Sequence, residues 1–254
     1  MPDVKTARTN TGKRGPKPNS GETTAGGHRV TRRITRERNM KKINVIKFVR
    51  DNRYFFLFIV LLLCFRTTYA DWSRVPTGSM EPTLLPGDVI WIDKTSFGAT
   101  LPFLNKQIVT WGHPQRGDVI TFIPPHTDIL YVKRVIGLPG DRIRIQDNKI
   151  TINGVPLKQR ITLNTDDAVI GVEDIAQVEH LIKLSKDKRM PHVDETIEVP
   201  PGKYFVMGDH RNDSFDSRFW GFVDQHRIMG KVTAIAVSFS SERDWTSRIA
   251  QSLE

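Results

Sequence analysis

The sequence predicts a mainly β fold, in which one N-terminal transmembrane helix precedes an antiparallel β domain with an inserted smaller subdomain. Gly-Asp pairs at Gly87, Gly117 and Gly140 each open an alternating, β-branched run, which is typical of a half-buried strand after a turn. A run of 12 apolar or aromatic residues, Tyr54 to Phe65, precedes these strands. Many short strands between Gly and Pro turns indicate a barrel-like or sandwich-like domain.

The first element is a basic N-terminal arm, residues 1–53 of the 254-residue chain. It carries 15 Lys and Arg against 4 Asp and Glu, a net of +11, whereas the rest of the chain has a net charge of −1. Because residues 1 to about 30 contain almost no apolar side chains, we expect them to be disordered. Positive charge beside a membrane span marks the cytoplasmic side, and we favour that meaning over binding of nucleic acid or anionic lipid.

The second element is a membrane anchor, predicted over residues 54–72. The run that ends at Phe65 is short alone, but its extension to Trp72 gives 19 residues, close to the roughly 20 that span a bilayer. Arg66 then lies near the outer end, where its long side chain can reach the interface. A secretory signal peptide cleaved after Ala70 is the alternative, but its 53-residue basic region would be far too long. We therefore expect an uncleaved anchor, with residues 73–254 outside the cytoplasm.

The third element is the β domain, residues 73–254. Asn148 and Asn153 predict hairpin turns, and the run KVTAIAVSF from Lys231 predicts a last strand. The segment from 155 to 198 is polar and has little clean period, so we interpret it as a smaller subdomain inserted between strands. Within this segment, the stretch from Asp174 to Leu184 is one of a few that resemble a helix.

A candidate nucleophile lies just after the apolar run, in the segment VPTGSMEPTLLPGD from Val75 to Asp88. Ser79 stands between a glycine and a methionine, and three prolines brace the segment, which predicts a rigid, non-helical loop. A serine hydroxyl becomes a strong nucleophile only when a base removes its proton. The loop therefore predicts a base elsewhere in the chain.

Two residues are candidates for this base. His210 lies in a dense polar cluster, residues 208–222, which also fits a loop braced by ion pairs. Lys133 lies in the apolar run LYVKRVI, where burial would lower its pKa and leave a neutral amine. A lysine at a strand edge with its amine in water fits the same pattern, so the residues alone leave both candidates open.

No pattern in the sequence indicates a cofactor. No Cys and His spacing suits zinc, and no glycine-rich loop suits a phosphate group. Aromatic and basic residues are not interleaved as they are in nucleic-acid-binding proteins. We therefore expect an enzyme without a metal, a cofactor or a nucleic-acid partner.

Four segments in order resemble the type I signal peptidases, membrane-anchored serine proteases of bacteria. They are PTGSMEPTL from Pro76, RGDVITF from Arg116, YVKRVIGLPGD from Tyr131 and GDHRNDSFDSRFWGF from Gly208. The resemblance implies a serine endopeptidase that cleaves exported preproteins after Ala-x-Ala sites. It also implies contact with the lipid of the bacterial cytoplasmic membrane, with residues 73–254 as a catalytic domain on the periplasmic side. The one span predicted from the sequence makes the protein single-pass.

The resemblance also implies a role for each matching residue. Ser79 is the nucleophile and Lys133 the general base, while Thr77 supports the oxyanion together with the Ser79 backbone N–H. Ser214 orients the Lys133 amine, and Gly208 leaves room for it. Two ion pairs brace the site, namely Asp216 with Arg218 and Asp209 with Arg134. The residues expected to line the shallow apolar substrate pockets are Val75, Pro76, Met80, Leu84, Tyr131 and Val132.

The chain departs from the family in two places. His210-Arg211-Asn212-Asp213 stands where the family more often has Asn-Arg-Asp-Asn, and one span is visible where many Gram-negative members have two. A related Ser/Lys protease, such as a conjugation-system processing protease or a self-cleaving repressor, is the nearer alternative. A membrane-anchored scaffold with a lipid-binding basic arm is the non-enzymatic one.

Overall fold

A computed structural model describes residues 47–100, 107–146, 148–188, 193–240, 248 and 250–253. These residues form the following helices and strands, numbered in chain order: α1 Arg53–Thr68, β1 Ala70–Arg74, β2 Asp88–Asp93, β3 Gly98–Thr100, β4 Gln107–Thr110, β5 Val119–Phe122, β6 Tyr131–Gly137, β7 Arg142–Gln146, β8 Lys149–Ile152, β9 Val155–Pro156, β10 Lys158–Asn164, β11 Ala168–Ile175, β12 Val178–Ser185, β13 Val193–Glu198, β14 Lys203–Met207, α2 Ser217–Trp220, β15 Val223–Asp224, β16 Ile228–Ser238 and β17 Gln251–Ser252. Short 3-10 turns lie at Gly78–Met80 and Gln225–Arg227. The predicted disordered start of the arm, residues 1 to about 30, lies outside the described residues.

The α1 helix is shorter than the predicted anchor. It has 16 residues and ends at Thr68, whereas the prediction continued to Trp72. The reason is strand pairing, because Ala70 to Arg74 form an antiparallel ladder with β2 that begins with Ala70 opposite Asp93. In the part of the chain that the structure describes, no helix combines the length and hydropathy of a membrane span.

The predicted mainly β fold is confirmed. The main sheet has eight antiparallel strands in the order β1-β2-β16-β5-β6-β14-β15, with β17 paired to β16. All three Gly-Asp pairs precede strands, as predicted, since they lead into β2, β5 and β7. Gly87 and Gly117 have φ values of 96° and 97°, a conformation that a residue with a Cβ atom rarely adopts.

The polar segment 155–198 contains strands in place of the helix considered there. Asp174 to Leu184 belongs to the β11–β12 hairpin, in which Ile175 pairs with Val178. Ala176 and Gln177 both have positive φ, as a two-residue hairpin turn requires. The helical interpretation was therefore wrong, and from Gly171 to Ile175 the residues of β11 alternate between buried and partly exposed positions, as in a half-buried strand.

Among the residues that the structure describes, the core consists of three apolar clusters, of which two flank the candidate site. One contains Met80 and Leu84 from the loop after β1, packed on Ile90, Val119 and other residues of the main sheet. The next contains apolar residues of β5, β6 and β14 and supports the strand that carries Lys133. The nucleophile loop and β6 are thus both anchored in well-packed regions.

Candidate active site

The loop that carries Ser79 is closed at its base by backbone hydrogen bonds. The Val75 N–H donates to Asp88 O at 2.8 Å, and the Gly87 N–H donates to Val75 O at 2.9 Å. Thr77 has extended backbone angles before the single 3-10 turn at Gly78–Met80. Asp88 accepts a further bond from the Leu85 N–H at 2.8 Å. The predicted rigid, non-helical loop is therefore present, apart from this one short turn.

Lys133 lies next to Ser79. It is the third residue of β6 and pairs with Ile120 of β5, so its backbone is fixed in the main sheet. Its Nζ is 2.5 Å from Ser79 Oγ. Lys133 is only 4% exposed, which rules out the alternative of a lysine with its amine in water.

The environment of Lys133 favours its neutral form. Burial removes water from the amine and lowers its pKa from the ordinary 10.5 to about 8. The negative charges of Asp216 and Asp209 oppose this change, whereas the positive charge of Arg218 adds to it. A lysine with this pKa exchanges its proton near neutral pH, as a general base must.

Thr77 lies on the same side of the loop as the nucleophile. Its Oγ1 is 3.4 Å from Ser79 Oγ. A hydroxyl at this distance is close enough to donate to an oxygen that develops negative charge when Ser79 attacks a carbonyl group. The geometry is compatible with the predicted role of Thr77, which stays a prediction.

Ser214 and Gly208 pack against each other beside the loop. A Cβ atom on Gly208 would collide with Ser214 Oγ and with Ser79 O, so only glycine allows this approach. Ser214 is buried, and its Oγ has no hydrogen-bond partner among the described residues. The expected hydrogen bond from Ser214 to the Lys133 amine is therefore absent from this geometry.

Both predicted ion pairs are formed. Arg218 donates to Asp216 through Nε and Nη2, each at 2.7 Å, and Asp216 also accepts from the Gly208 N–H at 2.9 Å. Arg134 donates to Asp209 through Nε at 2.8 Å and Nη2 at 2.7 Å. Burial alone would raise the pKa of Asp209, but Arg134 holds it below its usual value. Each carboxylate is thus fixed in place by an arginine.

A cleft of about 630 Å³ opens at Ser79. Three of the predicted substrate-pocket residues line it, namely Pro76, Tyr131 and Val132. Sequence reasoning missed seven further lining residues: Gly78, Ile129, Leu130, Asn212, Asp213, Phe215 and Phe219. The signal for one of these was present, because Phe215 is an isolated apolar residue in a polar run; it is exposed, as is Phe219.

The other three predicted pocket residues, Val75, Met80 and Leu84, do not line this cleft. All three are fully buried in the core beneath the loop. The pairing of Val75 with Asp88 turns this side of the loop towards the main sheet, so that only residues 76 to 79 face the cleft. These side chains support the floor of the site and lie outside its substrate surface.

His210, the other candidate base, is engaged elsewhere. Its Nδ1 is 3.3 Å from Gly78 O and its Nε2 is 2.7 Å from Ser185 Oγ. Burial and the positive charge of Lys183 lower its pKa.

In the described ranges, no cluster of His, Cys, Asp and Glu side chains could hold a metal ion. Ser79 and the buried Lys133 lie within hydrogen-bond reach of each other, an arrangement that is suited to acyl transfer.

Comparisons with known proteins identify the family of this chain. A family model described as signal peptidase, peptidase S26, matches residues 45–237. Signal peptidase I of Pseudomonas fluorescens is 39% identical over 202 residues, which cover 72% of this chain and 69% of that protein. Signal peptidase I of Pseudomonas aeruginosa is 36% identical over 199 residues, with the same coverage of 72% and 69%. A solved signal peptidase I of Enterococcus faecalis is 30% identical and covers 49% of this chain and 100% of that chain, with a TM-score of 0.33. The family match and the two Pseudomonas relatives show that this chain belongs to the signal peptidase family, peptidase S26.

Proposed function

We propose that this chain is a membrane-bound serine endopeptidase that removes signal peptides from exported preproteins. The name of its relatives, signal peptidase I, supplies the substrate class. The observation that carries the proposal is the 2.5 Å distance between Lys133 Nζ and Ser79 Oγ beside an open cleft. A nucleophile and a base at this distance are typical of covalent catalysis.

In the first half of the reaction, the neutral amine of Lys133 takes the proton of the Ser79 hydroxyl. Ser79 Oγ then attacks the carbonyl carbon of the scissile peptide bond, and negative charge collects on the carbonyl oxygen. The Ser79 N–H and the Thr77 hydroxyl donate hydrogen bonds to this oxyanion. The Lys133 ammonium returns its proton to the nitrogen of the leaving group, so that the C–N bond breaks.

In the second half, the signal peptide is bound to Ser79 as an ester, and the mature protein has left as the free amine. Lys133 is neutral again and takes a proton from a water molecule, which attacks the ester carbonyl. The C–O bond to Ser79 breaks, and the lysine gives the proton back to Oγ. The signal peptide leaves as a carboxylic acid, and the enzyme returns to its starting state.

The walls of the cleft support a preference for small apolar side chains near the cut. Pro76, Tyr131 and Val132 line the cleft beside the dyad. Apolar walls in this place suit alanine-sized groups at the first and third positions before the scissile bond. Longer side chains would displace the substrate from the position that Ser79 attacks.

Helix α1 is the proposed anchor in the bacterial cytoplasmic membrane, with the N-terminus in the cytoplasm and the catalytic domain on the periplasmic side. Of the large apolar side chains of α1 whose exposure the structure describes, most are exposed, including Tyr54 at 71% and Leu61 at 59%, as expected of a helix in contact with lipid. The basic arm before it fits the cytoplasmic side. Anchoring would hold the enzyme and the membrane-inserted signal peptide at the same bilayer, which shortens the search for the cleavage site.

The test is cleavage of a preprotein with an Ala-x-Ala site by the full chain in detergent or vesicles. Ser79→Ala and Lys133→Ala should each abolish the cleavage, whereas Lys203→Ala, a partly exposed lysine paired with Asp224, should retain it. Cleavage by either dyad variant would refute the proposed mechanism. No cleavage by the unaltered chain, with activity on another substrate class, would favour a different Ser/Lys processing protease.

A further inference from the structure

His210 makes contacts with the nucleophile loop that the proposed reaction does not use. It is 3% exposed and lies behind the loop, next to the end of β12. Its backbone N–H donates to Ser79 O at 3.2 Å, and its ring Nδ1 is 3.3 Å from Gly78 O. One residue therefore contacts two consecutive carbonyl groups of the nucleophile loop.

The hydrogen-bond partners fix the tautomer of the ring. A carbonyl oxygen only accepts, so Nδ1 must carry the proton that it donates to Gly78 O. Nε2 then accepts from the Ser185 hydroxyl at 2.7 Å. The charged groups around the ring are Glu81 at 3.8 Å, Asp213 at 3.9 Å and Lys183, which pairs with Glu81. Burial and Lys183 favour the neutral ring that this tautomer requires.

The backbone of His210 is held as firmly as its ring. The Lys183 N–H donates to Asp209 O and the Arg211 N–H donates to Lys183 O, both at 2.9 Å, so the segment pairs with β12. The side chain of Asn212 adds bonds to the Ser185 N–H at 2.9 Å and to Ser185 O at 2.5 Å. The inserted hairpin thus serves as the support from which His210 contacts the loop.

The geometry points to His210 as a positioning residue for the oxyanion donor. Gly78 O and the Ser79 N–H belong to one peptide unit, which is trans. In a planar trans peptide, the C=O and N–H groups point in opposite directions. When His210 holds the carbonyl of Gly78 on its own side, the Ser79 N–H is directed away from His210. We infer that this contact fixes the direction in which that N–H meets the oxyanion.

This inference rests on the proposed function, and substitutions at His210 can separate the role of each ring nitrogen. The amide nitrogen of Asn is attached to Cγ, as Nδ1 is, so His210→Asn keeps a donor for Gly78 O. The amide of Gln reaches one atom further, to the place of Nε2, so His210→Gln keeps only the contact with Ser185. His210→Ala removes both contacts but leaves the backbone bond to Ser79 O.

The experiment measures kcat and KM for preprotein cleavage by the full chain and these three variants, together with urea unfolding. We expect about a tenfold fall in kcat for His210→Ala and His210→Gln, because deletion of an oxyanion donor costs about 100-fold or more and this change only misdirects one. KM should stay within about twofold of the unaltered value, and His210→Asn should keep most of the activity.

Unchanged kcat in a folded His210→Ala variant would overturn the inference, as would a loss in His210→Asn equal to that in His210→Ala. A merely structural role would lower the stability of the variants without this order of kcat values. Two other outcomes would contradict the proposed function and not this inference. One is that the unaltered chain does not cleave the preprotein, and the other is that the Ser79→Ala variant still cleaves it. Activity in His210→Asn would also exclude His210 as the general base, because an amide cannot take a proton from Ser79.

Discussion

The rate of cleavage should rise with pH up to about 8, because only the neutral form of Lys133 can take the proton of Ser79. Burial lowers the pKa of this lysine from 10.5 to about 8, and the charges of Asp216 and Asp209 keep it from falling further. The neutral fraction is then about 1% at pH 6 and about half at pH 8. We therefore expect kcat/KM to increase roughly 50-fold between these two pH values.

The assay is kcat/KM for a preprotein or a peptide with an Ala-x-Ala site, from pH 6 to pH 10, at constant ionic strength. The logarithm of kcat/KM should rise with a slope of one and level off above pH 8. A plateau that begins near 6.5, the usual pKa of histidine, would refute the assignment of Lys133 as the base. A rise that continues to pH 10 would mean that the amine is hydrated and its pKa is not lowered.

The same pKa shift predicts an effect on stability, which gives a second measurement. A lysine with a folded-state pKa below its unfolded value destabilises the fold wherever it must be charged, here at pH values below about 8. Each pKa unit corresponds to about 1.4 kcal/mol, so the cost is roughly 3 kcal/mol at pH 7. Lys133→Met should raise the free energy of unfolding by about this amount, and the gain should disappear between pH 8 and about 10.5. A variant that is less stable than the unaltered chain at pH 7 would contradict the lowered pKa.

Two further variants test the oxyanion donor and a supporting ion pair. Thr77→Val keeps the shape of the side chain and should lower kcat by about 100-fold with little change in KM. The control Thr162→Val, on the exposed strand β10, should have no effect on cleavage. Equal kinetics in the two variants would show that the Thr77 hydroxyl takes no part in the reaction. Asp209→Asn leaves the buried Arg134 without its charged partner and should lower the free energy of unfolding in urea by about 3–5 kcal/mol. The control Glu179→Gln, in an exposed ion pair, should change it by less than about 1 kcal/mol. Similar losses in the two variants would show that burial does not determine how much an ion pair contributes to stability.

Patterns local to a strand allowed the sequence to predict several parts of the structure. The Gly-Asp pairs before β2, β5 and β7 specify a turn and the alternation that follows it, so the strands were predictable. The apolar neighbours of Lys133 in LYVKRVI allowed a lowered pKa, but they fitted a lysine with its amine in water equally, and only the structure shows the burial that lowers the pKa. The choice of Lys133 over His210 did not follow in this way and came from the family resemblance.

Contacts between distant segments were not predictable in the same way. Whether Met80 and Leu84 face the cleft or the core depends on the pairing of Val75 with Asp88, which no local pattern encodes. The β11–β12 hairpin was mistaken for a helix because charged residues interrupt its alternation, and the turn at Ala176 contains neither Gly nor Pro. The absent bond from Ser214 to Lys133 likewise depends on side-chain packing across the site.

A buried lysine is unfavourable for stability, whereas its short distance to Ser79 is favourable for catalysis. The structure around Lys133 and Ser79 explains how both features are maintained. A buried lysine destabilises the fold, yet the strands on either side fix its backbone and the ion pairs of Asp209 and Asp216 supply opposite charge. Ser79 is fixed independently, from below by the packed side chain of Met80 and from behind by His210. Because each group is held by its own element, the distance between them is set by the fold before substrate binds. The entropy cost of bringing the nucleophile and base together is therefore met during folding, which leaves the binding energy of the substrate to align its scissile bond.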